Sequence, residues 1–228
     1  MVHEDFHRWD VTPAEAFQIQ FWLRRRLIIE RNPRKIEFVA GADVAFRGKM
    51  AYGSVVVLSF PGLETVAQAC ACREIGFPYL PGLLSFREGP VILDCFAELD
   101  ANFELIIFHG HGTAHPRGFG LASHLGLLLD KPSVGCARKR LFGATEEPGL
   151  SRGCWKNILD KDGRSIGSTL RTKDNVKCVF VSPGHKTCLE QSRELVLSLG
   201  SGYRIPEPLR RAHHLALLAA GPAYSSRD

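Results

Sequence analysis

The sequence predicts an α/β fold with a mixed central sheet flanked by helices, and three observations carry that expectation. Residues 36–46, 51–60 and 64–72 have strand character and follow one another across links too short for a crossover helix, so they form an antiparallel meander. A helix, a strand, a helix and a strand come next, over residues 90–99, Leu105–Phe108, 120–129 and Ser133–Ala137, and alternation of that kind builds parallel pairs. The apolar run Leu105–Phe108 then breaks into Gly110, Gly112, Gly118 and Gly120, with His109, His111, His115 and Arg117 between them. A buried strand that ends in glycines and polar side chains is where an α/β protein holds its ligand, outside the carboxyl edge of the sheet. Four of the nine histidines fall within sixteen residues, His109 to His124, which sets this stretch apart from an ordinary surface loop.

The remaining elements follow in order. Thr12-Pro13-Ala14-Glu15 is a capping box with proline at the first helical position, so a helix starts there and runs to about Ile29. Its basic end, Arg24, Arg25 and Arg26, suits either a helix C-terminus or a phosphate-contacting patch. Phe77-Pro78-Tyr79-Leu80-Pro81-Gly82 is a rigid, proline-bounded loop. Trp155–Leu159, Ser165–Leu170 and residues 177–182 read as additional short strands, residues 185–199 and 206–219 as closing helices, and 223–228 as a frayed tail. No repeat, low-complexity segment or linker interrupts the chain, so residues 1–228 are expected to form a single domain. Three meandering strands followed by helix, strand, helix, strand is the order of ribonuclease H-like folds. In such a sheet the first strand lies beside the fourth, which would bring Asp43 next to His109.

Composition narrows the class. Of 228 residues 45% are hydrophobic and 23% charged, the balance of an ordinary globular protein. Lys plus Arg less Asp plus Glu is 29 − 24 = +5, and the pI is 8.9, a mild excess that favours a polyanionic partner. The seven cysteines include no Cys-x-x-Cys pair, which argues against a zinc site and suits reduced thiols inside a cell. No signal segment is visible at the N-terminus and no apolar run is long enough to span a bilayer, so a cytoplasmic protein without membrane contact is expected.

An acid inside the apolar strand Gly41-Ala42-Asp43-Val44 is costly to bury unless a cation or hydrogen bonds compensate it, so Asp43 is either a metal ligand or an aspartate of an edge strand or turn. Glu88, read as lying just before a helix, would by itself be a dipole-complementing acid. His213 and His214, among arginines on a closing helix, would by themselves be a solvated face.

Taken together these stretches resemble the endonuclease V family: Gly41-Ala42-Asp43-Val44, the twelve residues from Phe77 to Glu88, His109-Gly110-His111-Gly112 onward to His124, Gly135-Cys136-Ala137-Arg138, Ser182-Pro183-Gly184-His185, and Tyr203 to His213. The resemblance implies a ribonuclease H-like fold and a Mg²⁺-dependent endonuclease. Such an enzyme cuts DNA or RNA at the second phosphodiester bond 3′ to inosine or deoxyinosine. It also implies site residues. Asp43, Glu88, His109 and His213 would be catalytic metal ligands, with Arg138 a further catalytic residue, and Arg138 and Lys139 would contact phosphate. Pro78, Tyr79, Leu80 and Pro81 would form a strand-separating wedge. Gly82, Leu84, Gly110, Gly112, His115, Gly120 and Leu121 would line a pocket for the rotated base. The partner implied is inosine-containing nucleic acid, met by a monomer.

Two positions depart from the family pattern. His109 stands where the family has a metal-binding aspartate, and Arg138 where it has lysine. Imidazole suits Mn²⁺ better than Mg²⁺, so one implied reading is an active endonuclease that prefers Mn²⁺. The alternative is a catalytically impaired protein that still binds inosine-containing nucleic acid. A phosphohydrolase of small molecules, a third class, would have no use for the wedge.

Overall fold

A computed structural model describes residues 6–221. It contains one eight-stranded sheet, formed by β1 (Phe38–Arg47), β2 (Met50–Ser59), β3 (Thr65–Glu74), β4 (Leu105–Phe108), β5 (Ser133–Ala137), β6 (Trp155–Leu159), β7 (Ser165–Leu170) and β8 (Val179–His185), with spatial order β3-β2-β1-β4-β5-β8-β7-β6. The meander β1–β2–β3 is antiparallel, β1–β4 and β4–β5 are parallel, and β8 returns antiparallel to β5. This is the expected mixed sheet, with β1 beside β4 at its centre. The tail at 223–228 lies outside the described residues.

Side-chain parity assigns the two faces. Ala40, Ala42, Val44, Ile106 and Phe108 pack against Val91, Ile92, Cys95 and Phe96 of α2 (Leu84–Ala97) and Leu121, Ala122, Leu125 and Leu128 of α3 (Leu121–Leu128). The alternate positions Val39, Leu105 and Ile107 pack on the opposite side, with Leu195 and Val196 of α4 (Leu189–Ser198) and Leu209 of α5 (Glu207–Ala220). Asp43 and His109 share the parity of this second set, so both belong to the α5 side, Asp43 midway along β1 and His109 just past the end of β4.

Several boundaries differ from expectation, each for a local reason. The first helix keeps its Thr12–Glu15 capping box but ends at Leu23 (α1, Pro13–Leu23), followed by a 3₁₀ turn at Arg24–Arg26. The chain beyond is drawn off by the loop after β8, since Ile28 N–H donates to His185 Nδ1 at 3.3 Å and Lys186 N–H to the Ile28 carbonyl at 2.6 Å. Helix α2 begins at Leu84, not at residue 90, and carries Pro90 within it. Proline lacks the N–H that would reach the carbonyl four residues back, and its ring crowds that carbonyl; here the packing of Phe86, Val91 and Ile92 carries the helix through. Glu88 is therefore inside α2, not before it. Finally, β8 extends to His185 because Pro183 and Ser182 pair with Val134 and Gly135 of β5, and α4 starts only at Leu189 with Cys188 as its cap.

Candidate metal centre and base cavity

Four elements converge on Asp43. Its carboxylate lies midway along β1, where the shorter β4 ends and delivers His109: Ala42 pairs with Phe108, and the His109 N–H donates to the Ala42 carbonyl at 3.2 Å. Helix α5 delivers His213. Its close approach depends on Gly41, since a Cβ there would lie 2.4 Å from the Pro208 backbone. A second tie runs from the Ser54 hydroxyl to the Ala212 carbonyl, 2.6 Å. The result is a carboxylate gripped on both oxygens: Oδ1 lies 3.0 Å from His109 Nδ1, and Oδ2 lies 2.8 Å from His213 Nδ1. One ligand atom from each of the three residues lies within 4.8 Å of the other two.

The electrostatics follow from burial. Asp43 is 6% exposed. Burial works to raise its pKa, but the two imidazoles more than offset it and hold the carboxyl well below the usual range. Glu88, reached from α2, behaves oppositely. Its burial, reinforced by the charge of Asp43, raises its pKa well above that of an ordinary glutamate. Two buried carboxyls pushed in opposite directions mark a site that accommodates added positive charge. The three residues close enough to share an ion, Asp43, His109 and His213, offer one carboxylate oxygen and two imidazole nitrogens, a set that fits a divalent cation and suits Mn²⁺ better than Mg²⁺, whereas Glu88 lies outside that group and meets it through the charge of Asp43.

The proline-bounded loop stands on the rim. Phe77 and Leu83 are buried with Ala16 and Phe86, and Leu80 packs on them, which leaves Tyr79 69% exposed between exposed Pro78 and Pro81. The turn needs Gly82, whose φ is +82°. Three donors hold its carbonyl: Gln20 Nε2 at 3.0 Å, His115 Nε2 at 2.9 Å and Arg117 Nη2 at 2.7 Å.

Behind the loop lies a cavity lined by Gln20, Gly82, Leu84, Ser85, His111, His115, Gly120, Leu121 and Leu141. Five of the seven residues expected in a base pocket, Gly82, Leu84, His115, Gly120 and Leu121, are thus brought together. Gly110 and Gly112 are adjacent: Gly110 abuts Leu121, and the Gly120 N–H donates to the Gly112 carbonyl at 3.0 Å. With a volume of about 20 Å³ the cavity has room for roughly one water, so a purine enters only if the lining opens.

Arg138, Lys139 and Arg140 follow β5 with exposed side chains. Their backbone is fixed from beneath, as the Arg138 carbonyl accepts from Arg204 Nη2 at 2.8 Å and the Lys139 carbonyl from His111 Nε2 at 3.1 Å.

A family model for Endonuclease V matches residues 22–214, a span that contains every residue of this site except Gln20. The chain belongs to the Endonuclease V family. It is 46% identical over 220 residues to the endonuclease V of Methanothrix thermoacetophila, covering 96% of this chain and 97% of that one. The crystal structure of the Streptomyces avermitilis endonuclease V superposes with a TM-score of 0.88 at 40% identity, over 93% and 94% of the two chains. That of Ciona intestinalis, solved in complex with a 24-mer DNA containing an inosine followed by a ribo-adenosine, gives 0.78 at 25% identity, over 91% and 96%. Membership makes the chain a nuclease, a hydrolase of nucleic acid strands. Among the described residues no helix is long and apolar enough to cross a membrane, and all seven cysteines are free.

Within this family frame, sequence reasoning missed Gln20, Ser85, His111, Arg117 and Leu141. Gln20 and Arg117 hold the proline-bounded loop through the Gly82 carbonyl, and Gln20 lines the cavity together with Ser85, His111 and Leu141. Ser85 and His111 stood inside quoted motifs, but nothing in a linear motif reveals which hydrogen-bonding atoms a side chain has left over. Gln20 lies on a helix that buries it while leaving Phe17, Phe21 and Trp22 exposed, so the apolar pattern points away from it.

Proposed function

We propose that this chain is a metal-dependent endonuclease that cleaves DNA or RNA at the second phosphodiester bond 3′ to a deaminated purine, acting as a cytoplasmic monomer. The observation that carries the reading is the approach of Asp43, His109 and His213 to one another where β4 ends, with the small cavity lined by His111 and Gly120 from the stretch that follows β4. Asp43, Glu88, His109 and His213 would hold a divalent ion, Mg²⁺ or more favourably Mn²⁺. Such an ion supplies positive charge to the scissile phosphate and activates water for attack.

The chain's own residues do the rest. Asp43 stays ionised across the neutral range because its imidazole neighbours hold it so. Tyr79, rigid between two prolines, stacks into the gap left by the displaced base, a contact worth about 1–3 kcal/mol. The cavity at Gly82, Leu84 and His115 receives that base. Arg138 and Lys139 meet the backbone phosphates, arginine as a fixed cation that gives up no proton at neutral pH. The complex of the Ciona relative with inosine-containing DNA supports the choice of lesion.

The test is cleavage of single-inosine DNA and RNA strands in Mg²⁺, in Mn²⁺ and in EDTA, with the product ends mapped. A cut one nucleotide beyond the inosine's own 3′ phosphate, absent in EDTA, is the expected result. Tight binding without cleavage in either metal would instead establish the impaired, binding-only protein.

A further inference from the structure

Helix α1 wears its aromatics outward. It buries Ala16, Gln20 and Leu23 and leaves Phe17, Phe21 and Trp22 respectively 41%, 52% and 59% exposed. A helix on the surface of a globular protein turns its large apolar residues to the core, so the core does not account for these three. From Ala16 to Ile29 the chain carries three arginines and no acid. The guanidinium of Arg25 lies over both outer rings, 4.9 Å from the centroid of Phe21 and 4.8 Å from that of Trp22. The acid nearer the start of the helix, Glu15, is already engaged by Arg8 at 2.7 Å. The face therefore combines flat rings with uncompensated positive charge.

Its position is set by the proline-bounded loop. The Gly82 carbonyl takes Gln20 of α1 and Arg117 together, and the Arg117 guanidinium also lies 4.3 Å over the Phe17 ring. The row thus begins at the anchor of the loop and runs along α1 through Phe21 and Trp22 to Arg25. Eight residues of helix cover about 12 Å, room for roughly three stacked nucleotides at about 3.4 Å each. Its direction relative to the metal centre follows from packing. The buried residues of α1 pack with Phe77, Leu83 and Phe86, and with Phe119 and Leu127, on the α2–α3 side of the sheet. Asp43 and His109 belong to the α5 side. The small cavity takes lining from both, Gln20 of α1 and His111 two residues after His109. A strand whose base enters the cavity and whose 3′ side reaches the metal leaves on its 5′ side towards α1.

We propose that this face of α1 is a stacking platform for the unpaired nucleotides on the 5′ side of the lesion. Phe21 and Trp22 supply faces on which any base can stack, and Arg24 and Arg25 meet the phosphates between them. Because stacking reads no base edge, the platform adds affinity without adding sequence preference. A protein partner could use the same aromatics. What favours a nucleic acid strand is the run of arginines with no acid among them and the start of the row at the loop's anchor.

The inference rests on the proposed reading of the cavity as the base site and of the metal centre as the cutting site, and its test separates the two. Fluorescence anisotropy in EDTA measures binding of a single DNA strand with one deoxyinosine between two flanks. The same strand is measured with its 5′ flank removed, with its 3′ flank removed, and with deoxyadenosine at the lesion position. The natural protein is compared with Phe21→Ala, Trp22→Ala and Trp22→Phe. Phe21→Ala and Trp22→Ala should each weaken binding about fivefold or more, the low end of one base stack, wherever the 5′ flank is present. They should bind the strand lacking that flank as the natural protein does. Trp22→Phe keeps a ring and should recover most of the loss. A general loss of folded protein would lower all strands alike and so cannot imitate this pattern. Affinities unchanged on every strand, as a protein-docking face would give, overturn the inference, and so does a loss that follows the 3′ flank. The preference of the natural protein for deoxyinosine over deoxyadenosine reads the base site alone. Its absence removes that reading, and the 5′ register with it, whatever the variants do.

Discussion

Asp43 Oδ2 lies 2.8 Å from His213 Nδ1, which ties the central strand to the last helix across 170 residues of chain. The same carboxylate is held from β4 by His109 at 3.0 Å, so one side chain joins three separate elements. Asp43→Ala is expected to abolish cleavage. Deleting a buried charge also releases two imidazoles from a partner, so the fold should survive with some loss of stability. The check is a cleavage assay together with a thermal melt. Activity within a few-fold of the natural protein would remove Asp43 from the mechanism.

Glu88 gives a prediction of opposite sign for stability. Burial and then the charge of Asp43 raise its pKa above the ordinary value of 4.5. A raised acid binds its proton more tightly when folded, so its contribution to stability is lost as pH rises past the unfolded pKa. Metal-free protein should therefore melt lower at neutral pH than at mildly acid pH on this account. Glu88→Gln should melt higher than the natural protein at neutral pH while losing metal-supported cleavage. A melting temperature that falls on substitution would show that the carboxylate is stabilising as it stands.

Legibility divides along the same residues. The meander, the parallel β1–β4 pair and the Asp43–His109 contact could be read in advance, because strand periodicity and element order act locally and prune the topology. The resemblance pointed to Gly82 and Gly120, which line the small cavity, and to Gly110 and Gly112, which lie beside it. Two kinds of fact could not be read. One is the start of α2: Pro90 reads as a helix entry in a linear scan, whereas tertiary packing carries the helix through it and encloses Glu88. The other is hydrogen-bond bookkeeping, as at Gln20, Ser85 and His111, where the role depends on partners up to 99 residues distant.

Glu207 offers a control on acid stability away from the metal centre. Its carboxylate, 3% exposed, is held by Arg210 first, and also by Ser201 and Arg211, which lower its pKa to about 2 despite burial. A depressed acid stabilises above its unfolded pKa, and that contribution drains away as pH falls from 4.5 towards 2. The shift corresponds to at most about 3 kcal/mol, less what solvent screens at the half-exposed arginines. Urea midpoints across this window should fall more steeply for the natural protein than for Glu207→Gln. Parallel curves would show that the cluster contributes nothing measurable.

Tyr79 is exposed and makes no contribution to the core, so Tyr79→Ala should leave the melting temperature unchanged. Binding to a duplex containing deoxyinosine should weaken by about 1–3 kcal/mol, and binding to the single strand should weaken less, because only the duplex needs its strands held apart. Equal losses on both substrates would argue against a wedge. Affinity should also fall with salt, and Arg138→Ala should reduce the logarithmic salt slope by about 1.

The last prediction concerns His109, where the family resemblance calls for a carboxylate. Histidine contributes neither negative charge nor hard oxygen, so Mg²⁺ should be held less well than Mn²⁺. Imidazole must also be free of its proton to coordinate, so metal binding should weaken at mildly acid pH. His109→Asp restores the charge but brings a second carboxylate against Asp43 at a point where His109 now supplies the compensating hydrogen bond. Without metal the variant should therefore melt lower than the natural protein, and saturating Mg²⁺ should raise its melting temperature by more, since a ligand bound only by the folded state stabilises according to its affinity. Single-turnover cleavage of one inosine-containing strand, with each metal titrated, should show a weak Mg²⁺ rate for the natural protein, a better Mn²⁺ rate, and an increased Mg²⁺ rate for His109→Asp. If the variant binds the strand and gains the Mg²⁺-dependent melting shift but stays inert, the defect lies beyond the metal ligands, and Arg138→Lys in the same background is the next substitution to make. If the natural protein is already fully active in Mg²⁺, the site works with one carboxylate fewer than its chemistry was taken to require.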